Sequence, residues 1–212
     1  MAAEVGSMIL QDLKDRHKGE EIWVCGSGPS MGWVTPQFFE DKIVVAINEV
    51  GFVFGLEHFY TATNYSTHHP VVAGNVAANP HQIFITPDMN LEAGDMTATH
   101  VGSGNHITFR PHAPFWQPDT NWPTDPDVLI CGGTSAHIAM HLACYMGASQ
   151  INLVGVDLGL IDGQENFAGY RKSNGSMDGW RQQFGVVVNK LRELYGVRFF
   201  RLQPSLELLV VE

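Results

Sequence analysis

The chain has 212 residues and carries 22 acidic side chains against 12 basic ones, which gives a formal net charge of −10 at pH 7. So few basic residues exclude a protein that holds a polyanionic nucleic acid through many phosphate contacts. No stretch approaches the ~20 consecutive apolar residues of a transmembrane helix, and the N-terminus has no basic segment leading into an apolar run. We expect a cytoplasmic protein with no transmembrane segment, folded as a single domain over residues 1–212.

Short apolar runs alternate with helical patterns along the chain, which is typical of an α/β fold. Apolar residues at helical spacing predict a first helix over 5–17, and Gly19 is a plausible stop. Runs rich in β-branched or aromatic residues predict strands at 21–25, 43–47, 58–61, 82–86 and 107–110. The segment 111–126, with five prolines and three large aromatic residues, is predicted to be an ordered loop.

A βαβ unit is the clearest pattern in the second half of the chain. A strand at 128–131 leads through Gly132 and Gly133 into a helix over 136–146, and a strand follows at 151–156. Such crossovers are right-handed and join parallel strands, and Thr134 or Ser135 is well placed to cap the helix. A polar segment at about 157–177 is expected to act as a lid, before a helix over 178–194 and a strand at 197–202. The fold predicted is a Rossmann-like three-layer sandwich with a mostly parallel twisted sheet.

The first strand runs directly into a glycine-rich turn, Gly26-Ser27-Gly28-Pro29-Ser30. Backbone N–H groups clustered in such a turn, without a Cβ at the two glycines, predict a phosphate site. The dinucleotide motif G-x-G-x-x-G is incomplete because Met31 stands at the third glycine position, and no P-loop motif is present. An ordinary tight turn between a strand and a helix remains the alternative interpretation.

Polar residues also follow the other predicted strands. The carboxyl ends of parallel strands meet at one edge of a sheet, where ligands bind, so these residues together predict one nucleotide site. Taken singly, most are ordinary turn or cap residues. The predicted nucleotide-binding residues are Gly26, Ser27, Gly28, Ser30, Asn48, Asn64, Thr134 and Ser135.

These motifs resemble the bacterial CMP-sialic-acid-dependent sialyltransferases. They equally resemble a group that shares their fold and includes motility-associated flagellin glycosyltransferases and an archaeal 6-hydroxymethylpterin diphosphokinase. The resemblance runs from about Trp23 to Asp157, and weakly on to Pro204-Ser205. It implies a Rossmann-like fold that holds a nucleotide between the glycine turn, the two asparagines and the Thr-Ser turn, with a lid after Asp157. The residues that carry it are Gly26–Ser30, Asn48, Tyr60-Thr61 with Asn64, Thr134-Ser135 and Ile151–Asp157.

The lid departs from the sialyltransferase pattern. Gly175-Ser176 stands near the place of the general-base histidine of those enzymes, and Gly159 replaces the first of two tyrosines that engage the phosphate. Tyr170 and Arg171, with Lys172, could supply the lost phosphate contacts. Asp157 at a strand tip is the best-placed acid, either as a base or as a residue that orients a hydroxyl. The predicted catalytic residues are therefore Asp157, Tyr170 and Arg171.

His137 and His141, one helical turn apart, could bind a metal only with a third ligand. We expect no metal site and no required cofactor, and instead expect one of these imidazoles to be partly buried and the other solvated. Buried, reduced thiols are expected for the three cysteines.

The first functional hypothesis is a metal-independent, nucleotide-sugar-dependent glycosyltransferase that uses a CMP-type donor as its small-molecule nucleotide and an acceptor not identified by the sequence. An ATP- and Mg²⁺-dependent diphosphokinase of the pterin type and a non-catalytic nucleotide-binding domain are the alternatives. A homo-oligomer is left open.

Overall fold

A computed structural model describes residues 8–63, 74, 78, 82–87, 106–112, 122, 128–130, 134–170 and 177–211, without the side chains of 110–112 and 177–180. Over these residues the chain forms one nine-stranded sheet. Its strands are β1 (Glu21–Cys25), β2 (Ile43–Ile47), β3 (Tyr60–Ala62), β4 (Ile83–Pro87), β5 (His106–His112), β6 (Val128–Ile130), β7 (Gln150–Val154), β8 (Arg198–Leu202) and β9 (Leu208–Val210). The helices among the described residues are α1 (Val50–Phe54), α2 (Ser135–Tyr145) and α3 (Met177–Tyr195), with short 3-10 helices at Leu10–Leu13, Pro29–Trp33 and Pro36–Phe39.

The strand order is β6-β5-β4-β3-β2-β1-β7-β8-β9. All neighbours pair in parallel except β8 and β9, which are antiparallel. The chain leaves β1 toward one edge and returns to its other side with β7, so the strand order reverses between β1 and β7. Ligands in open parallel sheets bind at such a reversal. The predicted α/β fold with a mostly parallel sheet is confirmed.

Both faces of the sheet are covered, as in a three-layer sandwich. Ile22 and Val24 of β1 pack in a core that contains α2 and residues of α3. Trp23 and Cys25 alternate with them and pack in a second core on the other face. Because successive strand side chains point to opposite faces, a strand buried on both sides consists of consecutive apolar residues, which is the pattern that made the strands predictable.

The first helix differs from its prediction. Within the described residues only Leu10–Leu13 is helical, as a 3-10 turn with both leucines buried. Beyond it, the N–H groups of Asp15, His17 and Gly19 donate to the carbonyls of Tyr145, Met146 and Gly147. The Tyr145 and Met146 carbonyls are among those that the end of α2 leaves without a helical partner, so the segment runs along the α2 terminus instead of continuing as a helix.

Smaller differences concern the ends of elements. Most predicted strands shift by one or two residues, and α2 and α3 each lie within a residue of their prediction. The short helix α1 and the antiparallel edge strand β9 were not predicted. Nearly all of the proline-rich segment 111–126 lies outside the described residues, as does Cys131. Within the described part of the chain, no helix combines the length and apolar character needed to cross a membrane.

Candidate nucleotide site at the carboxyl edge of the sheet

The glycine turn after β1 packs directly on the turn after β7. The N–H of Gly26 donates to the Val154 carbonyl at 2.8 Å, and that of Gly28 to the Gly155 carbonyl at 2.7 Å. A Cβ on Gly26 would overlap the Gly155 carbonyl oxygen, and one on Gly28 would overlap the Asp157 carboxylate. The two glycines are therefore required by the crossing of two turns, and their N–H groups are used there. A phosphate contact through them stays a prediction.

Ser30 and Asp157 join the same two turns. The fully buried Ser30 hydroxyl accepts from the Gly155 N–H at 2.7 Å, while the Ser30 N–H donates to Asp157 Oδ2 at 2.9 Å. Asp157 thereby caps the 3-10 helix at Pro29–Trp33. No hydrogen bond to its second carboxylate oxygen is found among the described residues, and the side chain is half-buried. Asp157 thus lies where the strand order reverses. Its Oδ2 is held by the Ser30 N–H, and its other oxygen is available to accept a hydrogen bond.

Ser27 is the one residue of Gly26–Ser30 that is not buried. Its carbonyl accepts from the Phe167 N–H at 3.0 Å, which anchors the segment after β7 on the glycine turn. Its hydroxyl has no hydrogen-bond partner within the described part of the chain. Of the turn's side chains, the Ser27 hydroxyl is consequently the best placed to reach a ligand.

Asn48, Thr63 and Ser135 form a polar cluster at this edge. Asn48 Oδ1 accepts from the Thr63 hydroxyl at 2.7 Å and from the Ser135 hydroxyl at 3.0 Å. The cluster joins the carboxyl ends of β2 and β3 to the first turn of α2, from positions up to 87 residues apart. Thr63, which the sequence motifs passed over between Thr61 and Asn64, is an added member, and Asn64 itself lies outside the described residues.

The N-terminus of α2 meets this cluster. Thr134 is the N-cap, and its hydroxyl accepts from the Ala136 N–H at 3.1 Å. The first N–H groups of a helix and its dipole favour an anion. Because α2 contributes Ser135 to the cluster, its N-terminus lies beside Asn48, and the arrangement can hold an anionic group and a hydrogen-bonding group together.

The described part of the predicted lid, 157–170, lies against the sheet edge. Phe167 is buried and contacts the rings of Phe54 and Tyr170. The Tyr170 hydroxyl donates to Glu49 Oε2 at 3.1 Å. Because Glu49 directly follows Asn48, this contact places Tyr170 near the Asn48 side of the site. Arg171 and Lys172 lie outside the described residues, and their predicted phosphate contacts remain predictions.

Arg181 is a basic residue at this edge that the sequence reasoning missed. It lies on α3, its Nε donates to the Leu158 carbonyl, and its guanidinium occupies the space that a side chain at Gly159 would need. Gly159 is the position where the sialyltransferase resemblance expects a phosphate-contacting tyrosine. No motif signals this contact, since it joins segments 23 residues apart.

The two histidines of α2 are both buried, which corrects the expectation that one is solvated. Burial lowers the pKa of His137 to about 4 and that of His141 to about 3. His141 Nδ1 accepts from the Ile130 N–H, and its Nε2 pairs with the Tyr195 hydroxyl, each at 2.8 Å. Neither ring nitrogen of His137 has a partner among the described residues. Within that same set, no group of three His, Cys, Asp or Glu side chains could hold a metal ion.

The buried cysteines agree with their prediction. Cys25 and Cys144 are free thiols in the core, and burial raises the pKa of both. A thiol held protonated is a poor nucleophile, so these two side chains serve packing.

Comparison with solved structures shows the class of fold. No protein-family model matches the sequence, and neither does any curated protein. The sialyltransferase CST-II, solved with a trisaccharide acceptor and CMP, matches with a TM-score of 0.50 at 13% identity, over 88% of this chain and 82% of that one. The MAf glycosyltransferase of Magnetospirillum magneticum AMB-1 matches with a TM-score of 0.58 at 14% identity, over 97% of this chain. This chain spans 40% of the MAf protein's length.

The protein therefore has a glycosyltransferase-like α/β fold. More particularly, that fold is the one found in CST-II and the MAf glycosyltransferase, as the motif resemblance predicts. At identities of 13% and 14% the likeness establishes the fold alone, and the reaction has to be argued from the site.

Proposed function

We propose that this protein is a metal-independent glycosyltransferase that uses a CMP-type nucleotide sugar as its donor. The observation that carries the proposal is the cluster of Asn48, Thr63 and Ser135 at the N-terminus of α2. It combines an anion-favouring helix end with an amide, on a fold whose relative CST-II is solved with CMP.

The proposed reaction forms one bond and breaks another. An acceptor hydroxyl attacks the anomeric carbon of the donor sugar, the bond from that carbon to the phosphate oxygen breaks, and the nucleotide leaves with the electron pair. The α2 N-terminus, with Thr134 and Ser135, would stabilise the charge on the departing phosphate. Arg181 and the predicted Arg171 would add positive charge.

Asp157 is the proposed proton acceptor for the attacking hydroxyl. One carboxylate oxygen is held by the Ser30 N–H, which orients the group, and the other can accept the proton. Tyr170, whose hydroxyl now contacts Glu49, would turn to the phosphate when donor binds.

Calorimetric titration with CMP, in EDTA and again with Mg²⁺, tests the nucleotide part. We expect binding in both conditions and, for Ser135→Ala, at least a ~10-fold loss of affinity, about 1.4 kcal/mol. Ser149→Ala is the matched control, because Ser149 directly precedes β7, at the amino ends of the strands and away from the site, and donates to the Gly19 carbonyl. Binding of ATP with Mg²⁺ in place of CMP would instead favour the diphosphokinase.

Transfer itself is tested with a CMP-sugar and a panel of acceptors. We expect release of CMP from the wild type, and loss of most of the rate in Asp157→Asn with CMP affinity retained. CMP binding without any turnover across the panel would favour a non-catalytic nucleotide-binding domain.

A further inference from the structure

The Asn48 side-chain oxygen is held by two hydroxyl partners. An amide oxygen has two lone pairs, and an amide nitrogen carries two protons. In this structure both lone pairs of Asn48 Oδ1 are used, by Thr63 at 2.7 Å and Ser135 at 3.0 Å. The Nδ2 group must therefore point away from both hydroxyls, and it has no acceptor within the described residues.

The backbone at Asn48 is held as firmly as the side chain. Asn48 has a φ of 54°, a left-handed conformation uncommon outside glycine but tolerated by asparagine. Its N–H donates to the Ala62 carbonyl at 3.0 Å. Asparagine adopts this conformation at little cost, so the backbone geometry is compatible with the position of its side chain.

Thr63 is a rigid support for this arrangement. Its side chain is only 2% exposed, and its N–H donates to the Ile85 carbonyl at 3.2 Å, which fixes it against β4. Asn48 by contrast is half-buried. The buried hydroxyl thus sets the direction of a partly exposed amide without being able to reach a ligand itself.

We infer that Thr63 is a positioning residue that presents Asn48 Nδ2 as a hydrogen-bond donor to an acceptor oxygen of the bound nucleotide. This inference rests on the proposed function and adds that the protein donates, and the nucleotide accepts, the hydrogen bond at Asn48. Without the Thr63 hydroxyl, Ser135 alone still donates to Oδ1, so the amide rotates more easily by half a turn and then offers its oxygen, which repels an acceptor.

Two substitutions separate this role from a purely structural one. Thr63→Val removes the hydroxyl at nearly constant volume, and Thr63→Ser keeps it. We expect Thr63→Val to weaken nucleotide binding at least ~10-fold and Thr63→Ser to restore it to within ~3-fold of the wild type. The melting temperature, measured alongside, reports any general damage to the fold.

Asn48→Asp tests the donor directly. Aspartate keeps two acceptor lone pairs for Thr63 and Ser135 and tolerates a left-handed backbone, but it has no N–H to donate. We expect a folded protein with at least a ~10-fold loss of affinity.

Titrations with CMP, cytidine and ribose 5-phosphate identify the acceptor oxygen. If the loss in Thr63→Val affects CMP and cytidine but not ribose 5-phosphate, the oxygen belongs to the base. If it affects CMP and ribose 5-phosphate but not cytidine, the oxygen belongs to the phosphate, and if it affects all three, the oxygen belongs to the ribose. Cytidine also removes the charge repulsion that Asn48→Asp would exert on a phosphate.

The outcomes distinguish this inference from the proposed function. A wild type that binds none of the three ligands overturns both. A wild type that binds CMP, with Thr63→Val or Asn48→Asp binding it equally well, overturns the inference and leaves the proposed function standing. Loss of affinity in Thr63→Ser equal to that in Thr63→Val also overturns it.

Discussion

His137 and His141 are two buried imidazoles of one helix that differ in their hydrogen bonding. Both side chains are at most 2% exposed. His141 satisfies the Ile130 N–H and pairs with the Tyr195 hydroxyl, whereas His137 has no partner among the described residues. A buried polar group without a hydrogen bond costs roughly 1–3 kcal/mol, so the two histidines contribute to stability with opposite signs.

We predict that His137→Leu raises the free energy of unfolding by about 1–3 kcal/mol, since it removes an unsatisfied buried ring. His141→Leu is the matched control and is expected to lower it by a similar amount, because it leaves the Ile130 N–H unpaired. Urea denaturation measures both. Equal destabilisation by the two substitutions would show that His137 has a partner or ligand in solution.

The same burial predicts a dependence of stability on pH. The ordinary histidine pKa is 6.5, and the folded protein lowers it to about 4 at His137 and about 3 at His141. Below about pH 6.5 these two histidines therefore bind protons in the unfolded chain but stay neutral in the folded protein, which favours unfolding. We expect the melting temperature to fall as the pH is lowered from 7 to 4, and to fall less in His137→Leu. An unchanged pH profile in that variant would contradict the assignment.

The crossing of the β1 and β7 turns is the element on which the site is built. Four hydrogen bonds hold it together. The N–H groups of Gly26 and Gly28 donate to carbonyls of the β7 turn, the Gly155 N–H donates to the Ser30 hydroxyl, and the Ser30 N–H donates to Asp157. The turns belong to adjacent strands at the reversal of the sheet, so their separation determines where Ser27 and Asp157 stand.

We predict that Gly28→Ala destabilises the protein by about 1–3 kcal/mol, the usual cost of overpacking. A Cβ there would meet the Asp157 carboxylate and the Gly155 carbonyl. Gly185→Ala is the matched control, because a Cβ at that position within α3 meets nothing within 4 Å. It is expected to stabilise the protein by ~1 kcal/mol through helix propensity.

Thermal denaturation of both glycine variants is the measurement. If Gly28→Ala were as stable as the wild type, the two turns would not approach each other as closely as described. The N–H groups of Gly26 and Gly28 would then be available to bind a phosphate.

The net negative charge of the whole molecule opposes the binding of an anionic nucleotide sugar. With a net charge of −10, the protein repels a nucleotide at long range, so local positive charge has to hold it. Arg181, bound to the Leu158 carbonyl at the carboxyl edge, is a described residue that can supply this charge.

We predict that Arg181→Gln lowers the affinity for CMP at least ~10-fold and for uncharged cytidine little, because its guanidinium would contact the phosphate. Arg192→Gln changes the net charge by the same amount on the same helix, where Arg192 pairs with Asn189, and serves as the control. Titration at low and moderate salt measures both. An equal loss in the two variants would assign the effect to overall charge.

The sequence by itself determined eight of the nine described strands, the two longer helices and the mostly parallel character of the sheet, because a strand buried on both faces must be continuously apolar and a crossover helix joins parallel strands. It also identified Asn48, Thr134 and Ser135 as neighbours, since parallel strands end at one edge. Only the tertiary structure decided that Gly26 and Gly28 serve the contact of two turns, and that Thr63 and Arg181 belong at the edge. Those roles depend on distances between segments far apart in the chain, and no local pattern of residues encodes such a distance.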